Sequence, residues 1–262
     1  MSTDATAPLD PQLVDQQLVD QQLVDQQSLE RELNDARAAT AFVSGLLRGL
    51  SDTDLDGNSL LPGWTRRHVV AHLAQNALAV GRLVNWAATG VENPMYPSRE
   101  VRDQDIDTTA LLAPADLRAL FHDTAAALDA AWLALPESRW SAQVRAGQGR
   151  IVPASATFWM RIRELWVHGV DLNAGAGCDA LPEPVLRRIL GDVVTSWQAS
   201  GAGDGLVLSV STPAPFTLGD ATAPDARVVT GSLAALTAWA TGRGSSGITS
   251  AQGTVDAAPH WL

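Results

Sequence analysis

A chain of 262 residues with 46% hydrophobic content and a mean hydropathy of +0.01 can build a sizeable core, as one large domain or two modest ones. Its formal net charge of −11 argues against nucleic acid or an anionic membrane as principal partner. An anionic small substrate would then need a local cluster of arginines acting against the global field. No apolar run approaches the roughly 18 residues of a membrane-spanning helix, and the N-terminus lacks the basic start and apolar core of a signal peptide. The single cysteine, Cys178, excludes an internal disulfide framework and fits a reducing cytoplasm. It lies in a loop-like A-G-A-G-C-D-A-L-P stretch with no histidine near it in sequence, so it reads as structural.

Residues 1–27 are polar and hold copies of L-V-D-Q-Q starting at Leu13, Leu18 and Leu23. That spacing matches neither helical nor strand periodicity, and the segment reads as a low-complexity tail, disordered or loosely helical, without assigned function. From Ser28, a plausible N-cap, the residues Leu29, Leu33, Ala36, Thr40, Val43, Leu47 and Leu50 form a bundle-type seam. Asp52–Asn58 is a turn without the length or closing Glu of an EF-hand loop. The second helix is expected from Thr65 to about Ala88, with Val69, Leu73, Ala77, Val80 and Val84 as its apolar stripe. His68 and His72 lie on it four apart. On the helical wheel His72 is nearer the stripe and His68 roughly 40° further round, so His72 is the better interior ligand. A loop with two prolines and two arginines follows, T-G-V-E-N-P-M-Y-P-S-R-E-V-R, long enough to border a site.

The third helix is expected from about Pro114, with Leu117, Phe121, Thr124, Leu128, Ala131 and Leu135 on its core face and His122 in solvent. Val144–Val152 reads as irregular or weakly extended. A fourth helix from about Pro153 carries F-W-M-R-I-R-E-L-W-V-H-G-V-D-L, residues 158–172. There Phe158, Ile162, Leu165, Gly169 and Leu172 line a buried face, and Glu164 and His168 fall together on its flank, one turn apart. Such a pair is either an ion pair or half of a metal site.

The pattern changes beyond G-A-G and P-E-P at 182–184. A helix at Val185–Gln198, strands at Gly205–Ser211 and Arg227–Thr230, and a helix at Leu233–Thr241 make a small α+β unit, ending in G-R-G-S-S-G at 242–247. That last stretch is not a P-loop, because it follows a helix and lacks G-K-[ST]. The fold class is therefore α+β: a helical bundle over 28–178, then a small α+β domain over 179–262. His72, Glu164 and His168 together offer the three protein ligands of an open, catalytic-type metal site. Periodicity alone does not establish that their helices face each other.

The words L-L-P-G-W-T-R-R-H-V-V-A-H-L-A-Q-N-A at 60–77, N-P-M-Y at 93–96, Q-G-R-I-V-P-A-S at 148–155 and W-M-R-I-R-E-L-W-V-H-G-V-D-L at 159–172 are long and ordered. With the closing G-R-G-S-S-G-I-T-S and W-L, they make residues 29–262 resemble the mycothiol-dependent maleylpyruvate isomerases, whose N-terminal half is a DinB-like metal-binding four-helix bundle. The resemblance implies a divalent metal, usually zinc, on His72, Glu164 and His168. It also implies a C-terminal domain that helps bind mycothiol, with Arg243 as a contact.

The activity it implies is cis–trans isomerisation of maleylpyruvate to fumarylpyruvate in gentisate-type aromatic degradation. The thiolate would add to the cis double bond, the bond would rotate, and the thiolate would leave. Arginines would hold the dicarboxylate substrate; Arg82, Arg161 and Arg163 are candidates, Arg82 foremost. The alternatives are a mycothiol S-transferase on the same scaffold and a non-catalytic thiol- or metal-binding protein. No basic patch or DNA-binding helix supports a nucleic-acid partner.

Overall fold

The structure is a computed structural model that describes residues 11–147, 149–250 and 253–261, with side chains described from residue 26 onward. The first helix, α1 (Pro11–Gly49), is longer than its seam suggested. The backbone of the L-V-D-Q-Q copies belongs to it, so Ser28 lies inside the helix and caps nothing. The reason is compositional. After Pro11, a residue suited to a helix start, no proline or glycine interrupts the chain before Gly45. The seam itself is as expected. Ala36, Val43 and Leu47 are buried, with Leu29, Leu33 and Thr40 half-buried beside them.

Helix α2 (Arg66–Thr89) begins after Thr65, whose backbone N–H donates to His68 Nδ1 at 3.2 Å. His68 is thereby spent on the helix start, while Val69, Leu73, Ala77, Val80 and Val84 are all buried. Helix α3 (Arg99–Ala110) occupies ground expected to be loop as far as Arg102. Ser98 caps it by accepting from the Val101 N–H at 3.2 Å. Only Ile106, Thr109 and Ala110 of α3 are buried, so it carries almost no apolar periodicity to read.

Helix α4 (Pro114–Ala134) buries Leu117, Phe121, Thr124 and Leu128 and adds Trp132; His122 is exposed as expected. The weakly extended segment is a hairpin, β1 (Gln143–Arg145) antiparallel to β2 (Ile151–Pro153). Helix α5 (Ala156–Asp171) follows it. Helix α2 packs on α4 and α5, and α1 packs on the same two, which makes the four-helix bundle. Tryptophans close its far end. Trp132 and Trp140 lie 4.6 and 4.9 Å from the Phe158 ring, and the Trp132 indole N–H donates to Thr157 at 3.0 Å.

The C-terminal part comprises α6 (Glu183–Ser200), β3 (Leu206–Val210), β4 (Phe216–Leu218), β5 (Arg227–Gly231), α7 (Leu233–Ala240) and β6 (Ile248–Ser250). The strands form one sheet in the order β4-β3-β5-β6, with β3 and β5 parallel and the outer pairs antiparallel. The short edge strands β4 and β6 were not anticipated; each has three residues, none of them buried. Helices α6 and α7 pack together, with Trp197 and Trp239 edge to face at 6.0 Å. Among the described residues no helix is long and apolar enough to cross a membrane.

Candidate metal centre

Helices α2 and α5 face one another and bring His72, Glu164 and His168 together. His72 Nε2 stands 2.9 Å from Glu164 Oε2, and His168 Nε2 stands 3.3 Å from the same oxygen. Each residue offers a ligand atom within 4.8 Å of the other two. The imidazoles meet edge to face at 4.5 Å. The wheel distinction between the two α2 histidines holds: His72 is 3% exposed, whereas His68 is half-buried and turned to the helix start.

The electrostatics suit a ligand set. Burial, reinforced by His168 and Arg102, pulls His72 down to about 4, so it is neutral near pH 7 with a lone pair to give. Burial would raise Glu164, but hydrogen bonds from His168 and His72 outweigh it and hold the carboxyl well below its ordinary range. Burial also pulls on His168, yet its bonds to Asp171 and Glu164 win and raise it. The set is thus two imidazoles and a carboxylate of borderline-soft to hard donors, converging on one point. A divalent transition metal fits it.

Asp171 is the residue most clearly missed in the sequence. It is fully buried, and its Oδ2 accepts from His168 Nδ1 at 2.8 Å. It lies three residues after His168, one turn along the same face, and that spacing was its available signal. Arg243, expected to contact mycothiol, reaches into the bundle. Its Nε and Nη2 donate to the two Asp171 oxygens at 2.9 and 2.6 Å, and its Nη1 donates to the Thr241 carbonyl. Two guanidinium hydrogens, one on each Nη, are left over.

Arginines gather around the glutamate. Arg161, 1% exposed, donates from Nη1 to the Leu73 carbonyl at 2.6 Å and to Asn76 Oδ1 at 2.8 Å, while its Nη2 has no partner among the described residues. Burial lowers it to about 10, and its charge acts on Glu164 and Tyr96. Asn76 sits one turn beyond His72 on α2. Arg163 Nη2 is 3.8 Å from Glu164 Oε1, with Nη1 toward Asp192. Arg82 donates to the Met95 carbonyl at 2.6 Å. Arg102 of α3 stands 3.4 Å from His72 Nδ1 and 5.9 Å from the Tyr96 ring. The phenol of Tyr96 is pushed up by burial and lies within reach of Arg102, Glu164 and Arg82. Arg102 was seen only as part of a long loop, and Tyr96 only there and in the N-P-M-Y family word, with no role assigned to either. Cys178 is buried and its thiol pushed up to about 11, which suits no nucleophile.

A family model for the mycothiol maleylpyruvate isomerase N-terminal domain matches residues 36–173. The chain belongs to that family. Two solved structures are similar over 89% of this chain and 97% of theirs, each with a TM-score of 0.85: a mycothiol-dependent maleylpyruvate isomerase at 44% identity, and a histidine-to-alanine mutant of such an isomerase at 43%. No curated protein matches. The family match covers every residue of the converging set, from His72 on α2 to His168 on α5, and the solved structures extend the similarity to most of the chain.

Proposed function

We propose that the protein converts maleylpyruvate to fumarylpyruvate with mycothiol as thiol cofactor and a divalent metal, zinc by preference, on His72, Glu164 and His168. The observation that carries this is the 44% identity, across 89% of the chain, to a structure of that isomerase. Gentisate-type aromatic degradation is the setting, and the reducing cytoplasm the compartment.

The metal, when bound, supplies positive charge that keeps a coordinating thiol deprotonated near neutral pH. Mycothiol, when bound, would supply the sulfur nucleophile that lets the cis double bond of the substrate isomerise to trans. The chain's residues do the rest. His72 is held neutral by burial, and its Nε2 faces Glu164. Asp171 accepts a hydrogen bond from His168 Nδ1–H, leaving the other ring nitrogen for ligation. Arg102 and Arg82 flank Tyr96 and are the groups we assign to the substrate carboxylates, Arg102 directly and Arg82 through its donors not used on Met95. Arg161, buried and acting on the same Glu164 and Tyr96, adds fixed positive charge, so anionic substrate meets a local group of arginines in a chain of net charge −11.

The experiment is product analysis with purified protein, maleylpyruvate and mycothiol. The reading predicts fumarylpyruvate with mycothiol recovered as free thiol, and a KM for maleylpyruvate raised at least about tenfold in Arg102→Met, the loss of one charged hydrogen-bonding pair. Accumulation of a stable thiol adduct would make the protein an S-transferase instead.

A further inference from the structure

His168 is held from outside the bundle. Its Nδ1 meets a carboxylate, Asp171, with no exposure to solvent, and both oxygens of that carboxylate are engaged by Arg243, 72 residues further along the chain. Two oxygens, one imidazole nitrogen and two guanidinium nitrogens thus form one connected group within 2.9 Å contacts. A buried carboxylate in this position has a double requirement. It needs a cation to offset its desolvation, and it needs donors to fill its lone pairs. Arg243 meets both with a planar fork that a lysine cannot reproduce.

Arg243 is set in place before any ligand arrives. Its backbone N–H donates to the Ala238 carbonyl at 2.7 Å, that of Gly242 donates to Trp239 at 3.0 Å, and Nη1 reaches back to Thr241. Gly242 and Gly244 on either side have φ of +77° and +135°, conformations that let the chain leave α7 and turn the side chain into the bundle. Trp239, just upstream, is buried against Trp197 of α6. The guanidinium is therefore anchored by the C-terminal part while it grips the bundle.

We propose that Asp171 and Arg243 are positioning residues for the metal site, Arg243 fixing Asp171 and Asp171 fixing the tautomer and orientation of His168, so that the C-terminal part sets the metal affinity of the bundle. This rests on the ligand set proposed above. It gives Arg243 a task that does not require mycothiol, and that separates it from a role as cofactor contact. An ionised Asp171 only accepts, so the proton stays on Nδ1, and Nε2, the nitrogen that faces Glu164, is the one left to ligate a metal. Without Arg243 the buried carboxylate loses its cation and the imidazole its fixed partner.

The test measures metal dissociation constants, by competition with a chromophoric zinc chelator, for wild type, Arg243→Met, Arg243→Lys, Asp171→Asn and the double variant Asp171→Asn/Arg243→Met. No mycothiol or substrate is present. The absorption bands of the cobalt(II)-loaded proteins report ligand geometry, and circular dichroism confirms that each variant is folded. Outer partners of metal-bound histidines contribute about 10–100-fold in affinity. We expect losses of about that size in Asp171→Asn and Arg243→Met, a double variant no worse than about threefold beyond the weaker single, partial recovery in Arg243→Lys, and displaced cobalt bands in all. Wild-type affinity within threefold in Arg243→Met, with unchanged cobalt bands, overturns the proposal even if mycothiol dependence is lost. A wild-type protein that takes up no metal overturns the ligand set itself. Should Arg243→Met fail to fold, Asp171→Asn decides by the same threefold criterion.

Discussion

His68 and His72 show how far single residues could be read. They are identical in type and one turn apart, and only the position of the apolar stripe separates them. That sufficed, because burial follows helical phase: His72 lies between α2 and α5, while His68 serves the helix start. Asp171 is the opposite case. An aspartate one turn past a histidine is compatible with solvent. Its complete burial depends on Arg243, which local spacing cannot supply. Cys178 was read correctly as structural, and its environment carries a pH prediction. Burial raises its thiol to about 11, so the folded chain keeps the proton more tightly than the unfolded chain does. Below pH 9 the group contributes no pH dependence. Between 9 and 11 the unfolded state ionises first, and stability falls as pH rises by up to ~1.4 kcal/mol per unit. Urea unfolding at pH 8 and pH ~10.5 should therefore show about 2 kcal/mol more loss in wild type than in Cys178→Ala. Equal losses would show that the thiol is not held protonated.

At the scale of elements, the bundle helices were accessible because each buries a stripe with a clear period. Helix α3 was not, since Arg99–Ala110 buries three residues and is otherwise mostly charged or polar. It nonetheless carries Arg102 to within 3.4 Å of His72, so the element with the weakest pattern supplies a neighbour of the site. The edge strands β4 and β6 escaped for a related reason, being too short to show alternation. Close approach of α1 and α5 yields a further prediction. A Cβ at Gly169 would lie 2.5 Å from the Phe42 ring, which is itself packed on Trp166 at 4.5 Å. Gly169→Val must push Phe42 aside next to His168. It should cost about 1–3 kcal/mol, as overpacking does, read as a lower urea midpoint with an unchanged slope. A midpoint equal to wild type would mean that the α1–α5 contact is looser than described.

Across the whole molecule, the site is a product of long-range convergence. The net charge of −11 required a local concentration of arginines for any anionic substrate, but it could not say where. The fold gathers Arg82 from α2, Arg102 from α3 and Arg161 and Arg163 from α5 around Tyr96 and Glu164, and brings Arg243 in from the C-terminal part. Periodicity placed Glu164 and His168 on one flank and His72 on another helix. Their ligand chemistry suggested one set and the family words named the same three residues, but periodicity could not show that the helices face each other; in the structure their ligand atoms lie within 4.8 Å of one another. The central claim is that this set holds the metal on which turnover depends. Its most direct test is elemental analysis together with the mycothiol-dependent isomerisation assay on wild type, His72→Ala and His168→Ala. The account predicts about one divalent metal per wild-type chain, since the described residues offer one three-ligand set. It predicts little or no metal in either variant, with turnover reduced by two orders of magnitude or more in step. Full turnover by a metal-free variant would contradict it.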